Sequence, residues 1–287
     1  MGIGVHQPLP GPVVHPPRGD VPVLLSIPHA GRDYPDWLIE MSRSGRKSLY
    51  PLEDPLVDRL AWRALARGVG AVIAQSPRAA VDCNRAEDEV DPTLISGSAS
   101  TGPASRPSAR ARGGLGIVPS RTALHGHLWR RGLTAAELED RLVQAHRPFH
   151  RAVASNLEVV TQGFGYAMLL DCHSMPPLPA GGAEIVFGDR YGRSAAPWVA
   201  AEACSVAAEL GFDCAINEPF AGGHVVEHHG APHLGIHALQ VEIDRACYLG
   251  RDGQPSAKFD EVSRLLEQLA IRLGSALLAR DFRTAAE

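Results

Sequence analysis

The stretch Met168-Leu169-Leu170-Asp171-Cys172-His173-Ser174-Met175-Pro176 constrains the fold of this chain more than any other. A short apolar run gives way to polar residues and stops at proline. That pattern predicts a buried strand, Tyr166 to Leu170, which delivers His173 to the edge of a sheet. In open α/β sheets, reacting groups collect at the carboxyl ends of strands. The arrangement recurs in this chain. Val23 to Gly31 places His29 behind an apolar run, and Ala238 to Arg245 embeds Glu242 in another.

Helical and strand periodicities alternate along most of the sequence. Residues 21 to 28 read as the first strand, Ala71 to Ala74 and Ala79 to Cys83 as further short strands, and Ala183 to Phe187 and His237 to Ile243 as later ones. Leu56 to Ala66 has apolar residues at helical spacing behind Asp54-Pro55. Thr134 with Glu137 forms a capping-box pattern that opens a helix running across Pro148 to about Ala154. Ala195 to Leu210 reads as a helix stopped by Gly211, and Phe259 to Leu278 as a final amphipathic helix. The alternation predicts an α/β fold with a mixed, largely parallel central sheet. Residues 1 to 20 read as an irregular tail and 21 to 287 as one domain. The segment 96 to 116, rich in Ser, Gly, Pro, Ala and Arg, reads as a long loop, either disordered or a lid.

The 287 residues are 45% hydrophobic, enough for one large core or for two small domains. A net charge of -4 argues against nucleic acid as a partner. Five cysteines with no CxxC pair fit a reducing compartment. No window of 18 uninterrupted apolar residues predicts a membrane span, and Met1 to Pro17 lacks the charged start of a signal peptide. The expected location is the cytoplasm. Oligomeric state is not legible in the sequence.

Of the 13 histidines, most need no special role. His29 and His173 stand out because each follows a strand-like run. Two imidazoles and a carboxylate make a zinc site with a position open for water, whose pKa the metal lowers to roughly 7. Glu53, Asp54 and Asp58 all offer the carboxylate. Asp54, at the helix start, is the best placed, though helix capping explains any of the three. Arg85 suits a two-point clamp on a substrate carboxylate, with Asn84 on the same group, and Arg78 suits a developing oxyanion. Their plain alternative is surface salt bridging with Glu87, Asp88 and Glu89. Glu242, between Val241 and Ile243, is a costly carboxylate unless it has a partner. It is either a general base or half of an ion pair with Arg245 or another arginine. His224, His228 and His229, after the Gly222-Gly223 turn, read as an exposed loop cluster.

Taken together, Ser26-Ile27-Pro28-His29-Ala30-Gly31, Val81-Asp82-Cys83-Asn84-Arg85, Leu170 to Met175, Pro219 to Gly223 and Gln240 to Tyr248 resemble the N-formylglutamate amidohydrolases. That family is related to the zinc carboxypeptidases and aspartoacylases. The resemblance spans about residues 21 to 278. It implies a three-layer α/β/α domain of the zinc carboxypeptidase kind, and hydrolysis of an N-acyl amino acid, foremost N-formyl-L-glutamate, by zinc-activated water. It implies His29, Asp54 and His173 as zinc ligands, Glu242 as general base and Arg78 as oxyanion stabiliser. It assigns Asn84 and Arg85 to the carboxylate of a small-molecule substrate, and Arg245 is expected on the substrate as well. Asp171 becomes a candidate to orient a neighbouring ligand. Where the family often has an Asp-Thr-Asp-Trp-like run, this chain has Leu52-Glu53-Asp54-Pro55. Another N-acyl amino acid or a small peptide is the alternative substrate, and a non-catalytic metal-binding protein the alternative class. A Cys172 nucleophile is disfavoured, because Cys172 and His173 point to opposite faces of a strand.

Overall fold

The computed structural model describes residues 7–95, 108–179 and 181–280. Its strands are β1 (Val13–His15), β2 (Val23–Ile27), β3 (Gly70–Ile73), β4 (Arg121–Thr122), β5 (Gly126–His127), β6 (Ala167–Met175), β7 (Ile185–Gly188), β8 (Cys214–Ile216) and β9 (Ile236–Asp244). The chain divides into two compact units.

The larger unit, Val14–Ile27, Asp54–Ile73 and Arg151–Glu287, is built on a seven-stranded sheet of order β1-β3-β2-β6-β9-β7-β8. β2 pairs in parallel with β3 and β6, and β6 in parallel with β9. β7 runs antiparallel to β9, with β8 parallel beside it. This is the expected α/β class with a mixed, largely parallel sheet and flanking helices. All nine residues of β6 are buried, as a central parallel strand covered on both faces requires. The strand reaches Met175, beyond the apolar run that predicted it, because the polar residues 171–174 are paired in register rather than solvated. Val13–His15, within the stretch read as an irregular tail, is a strand at the sheet edge.

The final helix, Phe259–Ala279, turns Val262, Leu265, Leu266, Leu269, Ala270, Leu273 and Leu277 inward. Their spacing is the 3.6-residue stripe of an amphipathic helix. At Gly274 a Cβ would stand 2.8 Å from Val21 Cβ and 2.9 Å from Val23 Cγ2, so the glycine sets how closely this helix approaches the start of β2. The expected helix at 56–66 is two short ones, Val57–Leu60 and Trp62–Ala66. Leu56 before them has φ 62°, a left-handed conformation that costs a branched residue about 1 kcal/mol. The Tyr248 hydroxyl holds this turn by donating to the Pro55 carbonyl at 2.8 Å. His224–His229 is a helical turn, not a loop, because Val225 and Val226 are buried and anchor it.

The smaller unit, Met1–Val13, Pro28–Glu53 and Ala74–His150, is mostly loops and short helices around Leu38, Leu49, Leu52, Ile117, Leu128 and Leu133. The stretch Ala79–Cys83 is a turn rather than the expected strand, closed by Ala80 N–H donating to Pro77 O at 2.8 Å. The capping box at Thr134 is present in both directions. Helix Ala135–Arg141 then passes through a π-helical turn, Leu142–His146, into helix Arg147–Phe164. The widened turn accommodates Pro148, which can donate no hydrogen bond and crowds the preceding turn. The helix therefore continues well past Ala154. Of the 96–116 loop, residues 96–107 lie outside the described residues, and Ala109–Arg112 is a single helical turn. Among the described residues no helix is long and apolar enough to cross a membrane.

Candidate active site

The register of β6 assembles the polar half of the larger unit. Parallel partners share a face, so the pairings Asp171↔Gln240 and His173↔Glu242 put these four side chains together. Asp171, fully buried, accepts from Ser26 Oγ on β2 and faces His173 Nε2 at 2.8 Å. The other ring nitrogen of His173, Nδ1, is 3.1 Å from Asp54 Oδ2. Burial opposes a charge on His173. Asp171, Asp54 and Glu242 outweigh that and hold its pKa well above the ordinary value.

Asp54 is itself buried and tightly placed. Its Oδ1 accepts from Arg245 Nη2 at 3.0 Å and from Ser174 Oγ at 3.3 Å. Arg245 Nε donates to Ser174 Oγ at 3.0 Å, which fixes the guanidinium against both. Of the three acids considered as ligands, Asp54 is the one hydrogen-bonded to His173. Glu53 lies against Tyr34, whose hydroxyl pKa is raised by burial and then by the Glu53 charge. Arg245 is thus a partner of Asp54. Glu242 instead accepts from Gln240 Nε2 at 2.8 Å, and Gln240 Oε1 accepts from the Gly223 N–H at 2.7 Å. Alternation along the strand places Gln240 on the face of Glu242, but nothing in the sequence assigned it a role.

The Asp54–His173 pair fits a divalent ion. A carboxylate oxygen and an imidazole nitrogen about 3 Å apart match two ligands each about 2 Å from one metal. The far nitrogen of His173 is tied to a buried carboxylate, as ligating histidines almost always are. Cys172, on the opposite face, is fully buried, and burial raises its thiol far above neutrality, so it offers no thiolate.

In the smaller unit, Asp82 plays the part that Asp171 plays in the larger. His29 Nε2 lies 2.7 Å from Asp82 Oδ1, and Arg78 Nε donates to Asp82 Oδ2 at 2.8 Å. The Asn84 backbone N–H also donates to Asp82, at 2.8 Å. Burial would raise the Asp82 pKa, but Arg78, His29 and Arg85 hold it well below the carboxylate range. Arg85 is buried rather than salt-bridged at the surface. Its Nε donates to Leu115 O at 2.9 Å and its Nη1 to Asn84 O at 2.7 Å. Two histidines one helical turn apart brace this segment. His146 Nε2–H donates to Arg85 O and His150 Nε2–H to Cys83 O, both at 2.9 Å. Neither these histidines nor Asp82 had been assigned a role from sequence. The i, i+4 spacing of 146 and 150 was the available signal.

On the short helix of the larger unit, His229 is buried and its pKa is pushed down to about 3 by burial, then by His228 and His224. The cluster therefore sits on a helical turn rather than a loop, with His229 buried and His228 exposed as expected.

The sequence profile of the family described as N-formylglutamate amidohydrolase matches residues 21–249. The N-formylglutamate deformylase of Pseudomonas putida is 30% identical over 275 residues, covering 91% of this chain and 94% of that one. The Pseudomonas aeruginosa N-formylglutamate deformylase is 33% identical over 247 residues, 81% of this chain and 84% of its own length. The crystal structure of N-formylglutamate amidohydrolase from Ralstonia eutropha JMP134 superposes with a TM-score of 0.84 at 28% identity, covering 93% of this chain and 98% of that one.

Proposed function

The chain belongs to the N-formylglutamate amidohydrolase family, and from that premise we propose that it hydrolyses N-formyl-L-glutamate to formate and L-glutamate with one zinc ion held by His29, Asp54 and His173. The observation that carries this reading is the chain Ser26–Asp171–His173–Asp54, with Glu242 in register beside His173. His29 is included for the same chemical reason as His173. Each has Nε2 tied to a buried carboxylate, Asp82 or Asp171, which leaves Nδ1 as the ligand. His29 also follows the end of β2, at Ile27, by two residues.

When bound, the zinc supplies Lewis acidity and a water acidic enough to be deprotonated at neutral pH. Glu242 takes the proton from the attacking water and returns it to the departing amino nitrogen. Gln240, anchored on the Gly223 N–H, keeps the Glu242 carboxylate aimed. Arg78, fixed through Nε on Asp82, places its positive charge toward the carbonyl oxygen as charge builds there. Asn84 and the remaining donors of Arg85 receive a substrate carboxylate, and the burial of Arg85 strengthens that interaction. Arg245 neutralises Asp54 and, from its partly exposed position, extends the positive lining toward the substrate.

A panel of N-formyl-L-glutamate, N-acetyl-L-glutamate, N-formyl amino acids without the side-chain carboxylate, and dipeptides tests the assignment. The highest kcat/KM is expected for N-formyl-L-glutamate. Equal rates across the panel would show that neither the formyl group nor the second carboxylate is read.

A further inference from the structure

The smaller unit contains a cavity of about 410 Å³ that the chemistry above does not use. Its walls include Leu9, Trp37, Met41, Arg130, Arg141 and Gln144. That volume lies in the range of small-molecule sites.

Arg141 is its unusual member. The residue is only 4% exposed. Its Nη1 donates to Ala80 O at 3.0 Å, and Nη2 lies 3.6 Å from the Met41 sulfur. Among the described residues it forms no ion pair, since its neighbour Glu137 is engaged by Arg131 and by the Thr134 cap. The guanidinium sits 5.1 Å from the Trp37 ring centre and 5.9 Å from that of Trp129. Burial pushes its pKa down to about 10. A guanidinium in aromatic and thioether surroundings with one carbonyl acceptor is under-compensated, because buried charges are ordinarily paired with an opposite charge. Nearby, Arg130 donates only to the backbone carbonyls of Glu40 and Ser42, which leaves a second cation at the cavity without a carboxylate partner among the described residues.

We propose that this cavity is a binding site for a small organic monocarboxylate with a flat apolar body. The carboxylate pairs with the Arg141 guanidinium, and the body lies against Trp37, Leu9 and Met41. The carboxylates of Glu40, Glu137 and Asp140 also line the cavity, with Glu137 engaged by Arg131, and they disfavour a second negative charge on the ligand. Arg141 also holds Ala80 O, in the turn that leads to Asp82.

The test titrates the full-length protein with phenylacetate and with its uncharged analogue phenylacetamide, by calorimetry and tryptophan fluorescence. Phenylacetate is expected to bind saturably and to quench Trp37. Phenylacetamide should bind roughly tenfold more weakly or worse, having lost a charge-assisted pair. Arg141→Met should erase the preference for the acid, and Arg85→Met should keep it. Gln144→Trp, at an exposed wall position, should weaken both ligands by filling the cavity, which provides a variant independent of Arg141. Equal binding of acid and amide, no binding of either, loss of the preference in Arg85→Met rather than Arg141→Met, or unaltered binding in Gln144→Trp would overturn the proposal.

Discussion

Replacing Asp171 by asparagine removes one charge from the candidate metal centre and almost nothing else. The side chain is fully buried, accepts from Ser26 Oγ, and sits 2.8 Å from His173 Nε2. Asparagine is isosteric. With its oxygen toward His173 and its amide toward Ser26, whose hydroxyl can turn to accept, both contacts survive in neutral form. The loss is the difference between a charged and a neutral acceptor, about 1 to 1.5 kcal/mol. Transmitted through the imidazole, this weakens zinc binding by roughly tenfold, with about a hundredfold as the upper bound for losing such a partner. Competition with a chromogenic chelator measures it. Ser26→Ala, which leaves the carboxylate charged, should change affinity by less than about threefold. A folded Asp171→Asn protein with unchanged zinc affinity would show that Asp171 does not act on a ligand through His173.

Other substitutions read other parts of the account. Gln240→Leu should lower kcat with zinc content unchanged, because it removes the group that aims Glu242; loss of zinc instead would place Gln240 in the metal centre. Gly274→Ala should destabilise by about 1 to 3 kcal/mol in denaturant unfolding, since a Cβ there meets Val21 and Val23 at under 3 Å, and a neutral result would mean the helix shifts freely. Glu137 has its pKa lowered to about 2, first by Arg131 and then by the Thr134 cap, against burial. Its folded pKa is depressed, so its contribution is complete above the unfolded value near 4.5 and fades as pH falls toward 2. Glu137→Gln should therefore cost about 1 kcal/mol at pH 7, discounted for the exposed Arg131, and progressively less as pH falls from 4.5 through about 2; a pH-independent difference would contradict the assignment.

β2 and β6 were legible because apolar runs lead into them and proline follows each, and β9 because its apolar residues alternate with Gln240 and Glu242. The positions of His173 and Glu242 on β6 and β9 follow from those patterns. The apolar pattern misled at Ala79–Cys83, where alanine and valine imitate a strand but Asp82 is held inward by Arg78 and His29, bending the segment into a turn. The division of work between Asp54, Glu53 and Asp58 was not legible, since all three have helix-start character. Contact with His173 and Arg245 distinguishes Asp54. The paired roles of Asp82 and Asp171 depend on which ring nitrogen each carboxylate faces, and no periodicity encodes that. His224–His229 looked like a loop because its polar residues hide the two buried valines that make it a helix.

The central claim is a zinc-dependent hydrolysis with Glu242 moving the proton. Its most direct test measures zinc per chain and formate release from N-formyl-L-glutamate for the wild-type protein and for Glu242→Gln, each with and without chelator. Expected are about one zinc in both proteins, wild-type turnover abolished by chelator, and a rate at least roughly a hundredfold lower in Glu242→Gln. Full turnover in Glu242→Gln, or a wild-type protein that works unchanged after zinc is stripped, would contradict it.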